Sequence, residues 1–330
     1  MTIIGAVGEV HTALLQTSGA LSNDVAGELL SLRPGQPVRQ RSRPVRTVWS
    51  PEEFTGVDCA ALPHGSRGHL VGTLRSQACL TEGHLLQTLT STVLHRADQE
   101  RRRSWSHYLS RPGTVELFGT GKREDVIAGF LAEPRGTGEL DVGAVSSRLL
   151  AQVQSSAWLD RRPPVTGVRR TRMRWVVRAS ANGQQSAAFT LDSSGVSVLD
   201  IRTPEPGDPA IAEFSADLAL HDWLLLTLRS ILDRVLAGPA SPRRGLPGLR
   251  PAIIHLVHTW MPGTRVEDGL ATLWQDLERR ACLSTQWNTT VARARDYVSI
   301  SLAEGLFTDA GASARAGAAS PVTPPVQERS

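Results

Sequence analysis

The chain is notable for how little lysine and cysteine it contains. Lys122 is the single lysine among 36 basic residues, so arginine supplies nearly all of the positive charge. A bias this uniform reflects genome composition rather than selection for the forked guanidinium, and the arginine count alone does not predict nucleic-acid binding. The three cysteines, Cys59, Cys79 and Cys282, are odd in number and far apart. That number and spacing argue against a disulfide framework and against a CxxC zinc site, and predict buried, unreactive thiols.

Long hydrophobic runs are also missing. The most apolar window, around 218–228, contains His221 and Asp222 and is too short to cross a bilayer. The first fifteen residues have no basic n-region, and two ionisable residues interrupt their apolar character, unlike an export signal. These absences predict a cytoplasmic protein without a membrane segment.

What is present favours a folded α+β protein. Hydrophobic residues make up 40% of the 330-residue chain and charged residues 21%, which is enough apolar material for a core and too little charge for disorder. The length suggests two packed units or one elaborate domain. We expect a strand-rich N-terminal region (1–120), an α+β region with the C-terminal helices (121–307), and a disordered tail rich in Ala, Gly, Ser and Pro (308–330).

Two turn signals organise the predicted strands. Gly83 closes a short loop between 69–80 and 84–95, which predicts a hairpin. Asn182 and Gly183 form the strongest short hairpin signal in the chain, and a second turn follows at 193–195. Together these turns predict a three-stranded antiparallel meander made of 171–180, 185–192 and 196–202.

The strongest helical pattern runs through 208–238. Eight residues recur at spacings of three and four, seven of them apolar and the eighth His221, which places them on one stripe of a helix. Asp208 suits the N-cap, Pro209 the first helical position and Gly238 the residue past the end. We predict one long central helix, around which a mainly helical C-terminal part is built.

Four ionisable residues of this C-terminal part are candidates for a metal or catalytic site. His255 and His258 lie three apart on a predicted helix, where two imidazoles reach one metal ion, and His221 or Asp222 would complete the site. The alternative is that each histidine bonds a carbonyl or carboxylate inside the fold, which is the default for His221 on its apolar stripe. We predict no catalytic residue, no cofactor and no metal, with these four residues as the candidates to test.

A second candidate pair lies near the start of the chain. Glu9 and His11 share one face of the first predicted strand, as an acid–base pair would. No nucleophile motif of the GxSxG or SxxK type accompanies them. A structural role is therefore the preferred interpretation of this pair.

The clearest charge anomaly is a run of arginines before and within the strand predicted at 171–180. Seven arginines and no acidic residue occur between positions 161 and 178. Because alternate residues of a strand share a face, Arg170, Arg172, Arg174 and Arg178 form an arginine stripe. An exposed stripe would bind an anion, an acidic protein partner or nucleic acid. Alternatively, the acidic residues that follow at 179–238 pair with the stripe inside the fold.

Several segments, taken in order, resemble an uncharacterised protein family of high-GC actinobacteria. They are GEVHT at 8–12, TGVDC at 55–59, WSHYLSRPG at 105–113, DLALHDWL at 217–224 and HTWMPG at 258–263. The similarity covers most of the chain up to the tail. Members of this family are encoded beside a variant P-loop protein and a SAM-dependent methyltransferase, so the resemblance implies a role in a multi-protein system. It assigns no activity and no catalytic residue.

We therefore expect an accessory or scaffold protein that binds other proteins of the same gene group. The binding surface would be the strand-rich N-terminal half or the arginine stripe. An enzyme with a histidine-based site, with or without a metal, is the first alternative, and nucleic-acid binding through the arginine stripe is the second. The lack of a catalytic motif beside ample folding signals favours the accessory protein.

Overall fold

A computed structural model describes residues 2–60, 68–121, 123–132, 138–163, 165, 167–237, 249–250 and 254–318. The fold is α+β, with a mixed sheet of ten strands and helices packed on both of its faces. In chain order the strands are β1 (Thr2–Leu14), β2 (Arg39–Arg41), β3 (Thr47–Trp49), β4 (Glu53–Ala60), β5 (Gly68–Thr81), β6 (Leu85–Arg96), β7 (Thr114–Gly119), β8 (Thr171–Ala179), β9 (Ser186–Leu191) and β10 (Ser197–Thr203).

The helices flank this sheet, and among the described residues none is long and apolar enough to cross a membrane. They are α1 (Asn23–Leu30), α2 (Trp105–Leu109), α3 (Arg123–Leu131), α4 (Val142–Gln154), α5 (Ala210–Leu236), α6 (Ala271–Ala281) and α7 (Leu283–Ala318). Two short 3₁₀ turns, Val257–Thr259 and Asp268–Leu270, precede α6.

The first strand, β1, lies in the interior of the sheet, between β6 and β8. The strand order is β2-β3-β5-β7-β6-β1-β8-β10-β9, with β4 paired to β5 and a further pairing between β5 and β6. β1 is antiparallel to both of its neighbours, β6 and β8. Because β6 precedes and β8 follows position 120, one continuous sheet spans the boundary predicted between the two regions.

The predicted hairpin at Gly83 is confirmed. β5 and β6 pair antiparallel with Thr81 opposite Leu85. Gly83 has φ +73°, a left-handed conformation that glycine adopts without steric cost. A side chain at this position would also collide with the backbone of Leu21, so glycine is required there twice over.

The prediction of a three-stranded antiparallel meander is wrong. β10 lies between β8 and β9; it is parallel to β8 and antiparallel to β9. Leu199 and Ile201 of β10 are fully buried, whereas Leu191 of β9 is 66% exposed. The more apolar strand takes the interior position and the more polar one takes the sheet edge. The turn residues identify where the chain reverses but not which strand pairs with which.

A 27-residue helix, α5, lies inside the span predicted from 208 to 238. The Asp208 carboxylate accepts a hydrogen bond of 2.9 Å from the amide of Ala210 at its start. Gly238, predicted to follow the helix, lies outside the described residues. The helix packs across β1, β6 and β8, and its apolar side chains belong to the largest core cluster together with Trp175 of β8. Polar residues of this helix are therefore buried with it.

The end of the chain is helical further than predicted. α7 continues through residues 308–318, where a disordered tail was expected, and alanine is frequent there, the residue with the highest helix propensity. Residues 319–330 lie outside the described part of the chain. The helix predicted at 251–260 is described only from 254 onward, where one helical turn leads into a 3₁₀ turn.

Candidate anion-binding groove

A groove opens where the parallel strands β8 and β10 begin, beside the second half of α5. Its volume is about 680 Å³. We call it the arginine groove, because four arginines line it: Arg169, Arg170, Arg172 and Arg234. Four hydroxyl side chains also line it: Thr171, Ser197, Thr227 and Ser230. No aspartate or glutamate is among the described residues of its lining.

Two contacts fix the chain that leads into β8 against α5. The indole nitrogen of Trp223 donates a 3.0 Å hydrogen bond to the carbonyl of Arg169. Gly167 has φ +69°, and the guanidinium of Arg234 occupies the space that a side chain at Gly167 would need. Gly167 and Arg169 are thus held against α5, and arginines from both sides of this contact line one groove.

A second cavity of about 320 Å³ adjoins the arginine groove. The two share Gly167, Val168 and Arg170 in their linings. The second cavity runs toward the end of β1 and α4, where Leu14 and Gln154 line it. The groove therefore has room for a ligand longer than a single ion.

The four arginines of the predicted arginine stripe lie in different surroundings: two line the groove and two do not. Arg170 and Arg172 line the groove, and Arg170 is exposed, with Nη2 donating a 2.9 Å hydrogen bond to the Ser147 hydroxyl. Arg172 Nε donates a 2.8 Å hydrogen bond to Oε1 of Glu9, which is fully buried. Only the beginning of the stripe therefore meets the groove.

The other two arginines of the stripe pair with carboxylates of the same chain, one of them buried and the other partly exposed. Arg174 is fully buried; its Nε lies 3.6 Å from Oε2 of Glu9, and its Nη1 donates a 3.1 Å hydrogen bond to the carbonyl of Leu131. Arg178 Nε lies 3.1 Å from the Asp200 carboxylate on the neighbouring strand. The four arginines do not form one continuous exposed surface.

Glu9 is the centre of a buried charge cluster. Burial would raise the pKa of its carboxyl, but hydrogen bonds from His11 and Arg172 outweigh burial and bring the pKa to about 2. Burial lowers the pKa of His11, so its neutral ring donates the 2.8 Å bond from Nε2 to Glu9 Oε1. Gly143, in the first turn of α4, leaves room for the carboxylate, which lies 2.6 Å from where a Cβ would stand. Glu9 and His11 are closed to solvent, whereas the side chain of Arg172 is 35% exposed and lines the groove.

Asp222 lies directly behind the wall of the groove. Its Oδ2 accepts a 2.7 Å hydrogen bond from the hydroxyl of Ser197, a lining residue. Burial between α5 and β10 raises the pKa of Asp222 to about 6. This carboxyl is therefore bonded to the groove wall.

His221 is a core histidine. Its Nδ1 donates a 2.7 Å hydrogen bond to the carbonyl of Asp217, one helical turn earlier, and burial lowers its pKa. The edge of the ring meets Trp260 at 5.0 Å and Trp274 at 6.0 Å between centroids. Asp217 itself pairs with Arg265 at 2.8 Å. These surroundings match the alternative in which the histidine bonds a carbonyl inside the fold rather than a metal ion.

The remaining two histidines have other partners. The carbonyl of His255 accepts a 2.9 Å hydrogen bond from His84 Nε2, and the two rings meet edge to face at 5.2 Å. His258 is exposed on a 3₁₀ turn. Within the described part of the chain, no group of three or more His, Cys, Asp or Glu side chains is placed to hold a metal ion.

Comparison of the chain with protein-family models, curated proteins and solved structures finds no match. No residue role therefore transfers from a relative, and the chemistry of the groove rests on its own residues. Sequence reasoning named Arg170 and Arg172 but not Arg234 or Ser197 as site residues. Arg234 lies near the exposed end of the long helix, and no spacing in the sequence relates it to β8.

The prediction of buried cysteines holds for Cys79, whereas Cys59 is only partly buried and Cys282 lies at the surface. Burial raises the pKa of Cys59 to about 11 and that of Cys79 to about 12, so both remain protonated thiols at neutral pH. Cys282 is exposed, although a buried position was expected. It caps α6 in a left-handed conformation with φ +52°, a position past the helix end that faces solvent.

Proposed function

We propose that the chain is an accessory or scaffold protein that binds an acidic segment of another protein in the arginine groove. The observation that carries the proposal is the concentration of arginines from the start of β8, from the two residues before it and from α5 around one groove whose described lining contains no carboxylate. Guanidinium groups bond carboxylates through two parallel hydrogen bonds, which gives both affinity and orientation. The occupant proposed is therefore an extended, negatively charged stretch of a partner.

Apolar contacts in the same groove favour a polypeptide. Leu226 is 42% exposed, and Val168 and Val196 line the groove with it. Side chains beside the acidic group of a partner would bury this surface, at roughly 25 cal/mol for each Å² removed from water. The partner we propose is one of the proteins of the same gene group, the variant P-loop protein or the SAM-dependent methyltransferase, within the cytoplasm.

Nucleic-acid binding is the competing proposal for these arginines. A nucleic acid presents a series of phosphates and is held by cations that follow its backbone. The cations here are gathered at one end of β8, because Arg174 and Arg178 further along the strand pair with Glu9 and Asp200 of the same chain. An enzyme built on His221, Asp222, His255 and His258 gains no support, since each of the first three has a separate set of partners.

The experiment is a binding comparison between the full chain and a charge-reversal variant, Arg169→Glu with Arg170→Glu. Both chains would be tagged and co-expressed with each neighbouring protein, and the retained protein would be quantified by mass spectrometry. We expect one partner to bind the native chain and to be lost from the variant. Removal of close charge pairs at interfaces costs about 2–5 kcal/mol, enough to abolish a micromolar complex.

A matched control changes charges outside the groove. Arg202 and Arg293 are exposed and do not line it, so Arg202→Glu with Arg293→Glu alters the net charge equally. Equal loss of partner from both variants would contradict a local site. Binding of a single-stranded oligonucleotide in place of any neighbouring protein, with a steep salt dependence, would favour the nucleic-acid proposal instead.

A further inference from the structure

The strand β9 leaves one edge of the sheet open. Among the described strands it pairs with β10 alone. Asp192, directly after β9, donates its backbone amide to the carbonyl of Val196, just before β10, at 2.9 Å. Because the backbone groups of a strand point alternately to its two sides, Ala187, Phe189 and Leu191 direct theirs away from β10. No described residue bonds these outward N–H and C=O groups.

This edge lacks the features that normally prevent a sheet from pairing with another strand. Edge strands are usually protected by charged side chains, prolines or bulges. The other described strands with a single partner are both charged: β2 contains Arg39 and Arg41, and β4 contains Glu53 and Asp58. The six residues of β9, SAAFTL, include no charge and no proline, and their register with β10 runs without a bulge. Of these three strands, β9 is therefore the one that is open to pairing.

An apolar side chain accompanies the open backbone. Ala187 is buried and Phe189 packs against the largest core cluster, on the face of β9 that shares this core with α5. Leu191, on the same face at the end of the strand, is 66% exposed. Ala188 and Thr190, on the other face, are exposed as well. Pairing with another strand would remove both the outward backbone groups and the side chain of Leu191 from water.

The sequence of β9 is complementary to itself in one antiparallel register. If Phe189 lies opposite its own counterpart in a second copy, Leu191 lies opposite Ala187 of that copy, so a large side chain meets a small one. Each of the three facing pairs exchanges two backbone hydrogen bonds, which uses every outward group of the strand. Like charges that face each other destabilise such pairs, and β9 contains none. A two-fold axis generates this arrangement without further contacts.

We infer that the chain forms a symmetric dimer in which the β9 strands of two copies pair antiparallel and join the two sheets into one. The inference goes beyond the proposed function and does not depend on it, because none of the residues of β9 lines the arginine groove.

The first test measures the mass of the full chain by sedimentation over a range of concentrations. We expect a dimer, and we expect Leu191→Lys to raise its dissociation constant at least about tenfold, because the ammonium group would lose water at the paired edge. Leu109→Lys is the matched control. Leu109 is 64% exposed on α2, far from β9 in the sheet order, and its variant should dimerise like the native chain.

The second test examines the register by disulfide cross-linking. Cys282 is exposed, so the background is Cys282→Ser. The register places Ala188 opposite Thr190 of the second copy in a pair without backbone hydrogen bonds, where Cα atoms lie about 4.5 Å apart, close enough for a disulfide. A mixture of Ala188→Cys and Thr190→Cys chains should therefore form covalent dimers under mild oxidation. Either variant alone should form far fewer, as a non-reducing gel would show.

The outcomes separate this inference from its alternatives. A native chain that stays monomeric overturns it, even if Leu191→Lys loses a protein partner, since β9 would then pair with that partner. A dimer that Leu191→Lys leaves intact and that the cysteine mixture does not cross-link also overturns it, because the interface would lie elsewhere. Equal weakening by Leu109→Lys would contradict a local effect. Circular dichroism and melting temperature establish that each variant is folded.

The proposed function fails or stands separately. The groove variant Arg169→Glu with Arg170→Glu should lose its partner and remain dimeric. Leu191→Lys should become monomeric and keep the groove that binds the partner.

Discussion

At the scale of single residues, the most consequential group is the buried carboxylate of Glu9. It faces Arg172 and the fully buried Arg174, so it compensates the charge of a guanidinium, that of Arg174, which water cannot reach. Glu9→Gln keeps the shape of the side chain and removes the charge. We expect the free energy of unfolding to fall by about 3–5 kcal/mol, because the change leaves an uncompensated buried charge. Urea denaturation at neutral pH measures this difference.

A surface pair provides the control for Glu9. Arg178 and Asp200 lie 3.1 Å apart and are both partly exposed to solvent. Asp200→Asn should change the free energy of unfolding by about 1 kcal/mol or less, as is usual for exposed ion pairs. A Glu9 variant no less stable than the Asp200 variant would show that the buried cluster does not hold the fold.

The pH dependence of Glu9 follows from its lowered pKa. The pKa falls from 4.5 to about 2 on folding, so the unfolded state binds the proton more readily. The resulting stability is present above pH 4.5 and is lost as the pH falls toward 2, by about 3 kcal/mol at 1.36 kcal/mol for each pKa unit. The native chain and Glu9→Gln should therefore converge in stability near pH 2, as measured by urea denaturation across this range.

Asp222 should behave in the opposite way. Its pKa rises from 3.8 to about 6 because burial disfavours the charged form, so the folded state binds the proton more readily. The native chain loses about 3 kcal/mol of stability as the pH rises from 3.8 to 6. Asp222→Asn keeps an acceptor for the Ser197 hydroxyl without the charge, and should be more stable than the native chain at pH 8. A difference that does not shrink below pH 4 would contradict this assignment.

At the scale of elements, the contact between β1 and β8 sets the geometry behind the arginine groove. Gly8 lies opposite Trp175, and a methyl group on Gly8 would overlap the indole ring. Gly8→Ala should lower the free energy of unfolding by about 1–3 kcal/mol, the usual cost of overpacking a filled core. Gly19→Ala is the matched control, since nothing lies within 4 Å of its added methyl group. Thermal melting of both variants tests the prediction, and equal melting temperatures would refute it.

The sequence predicts where helices, strands and turns lie better than it predicts which strands pair with each other. Periodicity gives the span of α5, and Gly83 gives the β5–β6 hairpin, because both depend on neighbours in the chain. β10 lies between β8 and β9 because the more apolar strand gains more by taking the interior position of the sheet. The turn residues carry no information about this choice. The groove likewise combines residues of β8 with Arg234, about sixty positions away on a helix, and only tertiary packing brings them together.

At the scale of the whole molecule, the position of β1 joins the two halves of the sequence. β1 pairs with β6 on one side and with β8 on the other, and α5 packs against both β1 and β6. Separation of the halves would expose the backbone edges of β1 and β8 and the apolar face beneath α5, so each half would lose pairing and burial. The groove depends on the pairing of β1 with β8, because Arg172 of β8 lines the groove and donates a hydrogen bond to Glu9 of β1.

This arrangement predicts one cooperative unfolding transition. Far-UV circular dichroism follows the sheet and helices, while tryptophan fluorescence reports on eight tryptophans, of which Trp49 in the first half and Trp175, Trp223 and Trp287 in the second are buried. We expect both signals to give the same urea midpoint, because loss of either half removes partners from β1. Two separated midpoints would mean that the regions on either side of position 120 unfold independently. In that case β1 would belong to one region alone, and its pairing with β8 would contribute little to stability.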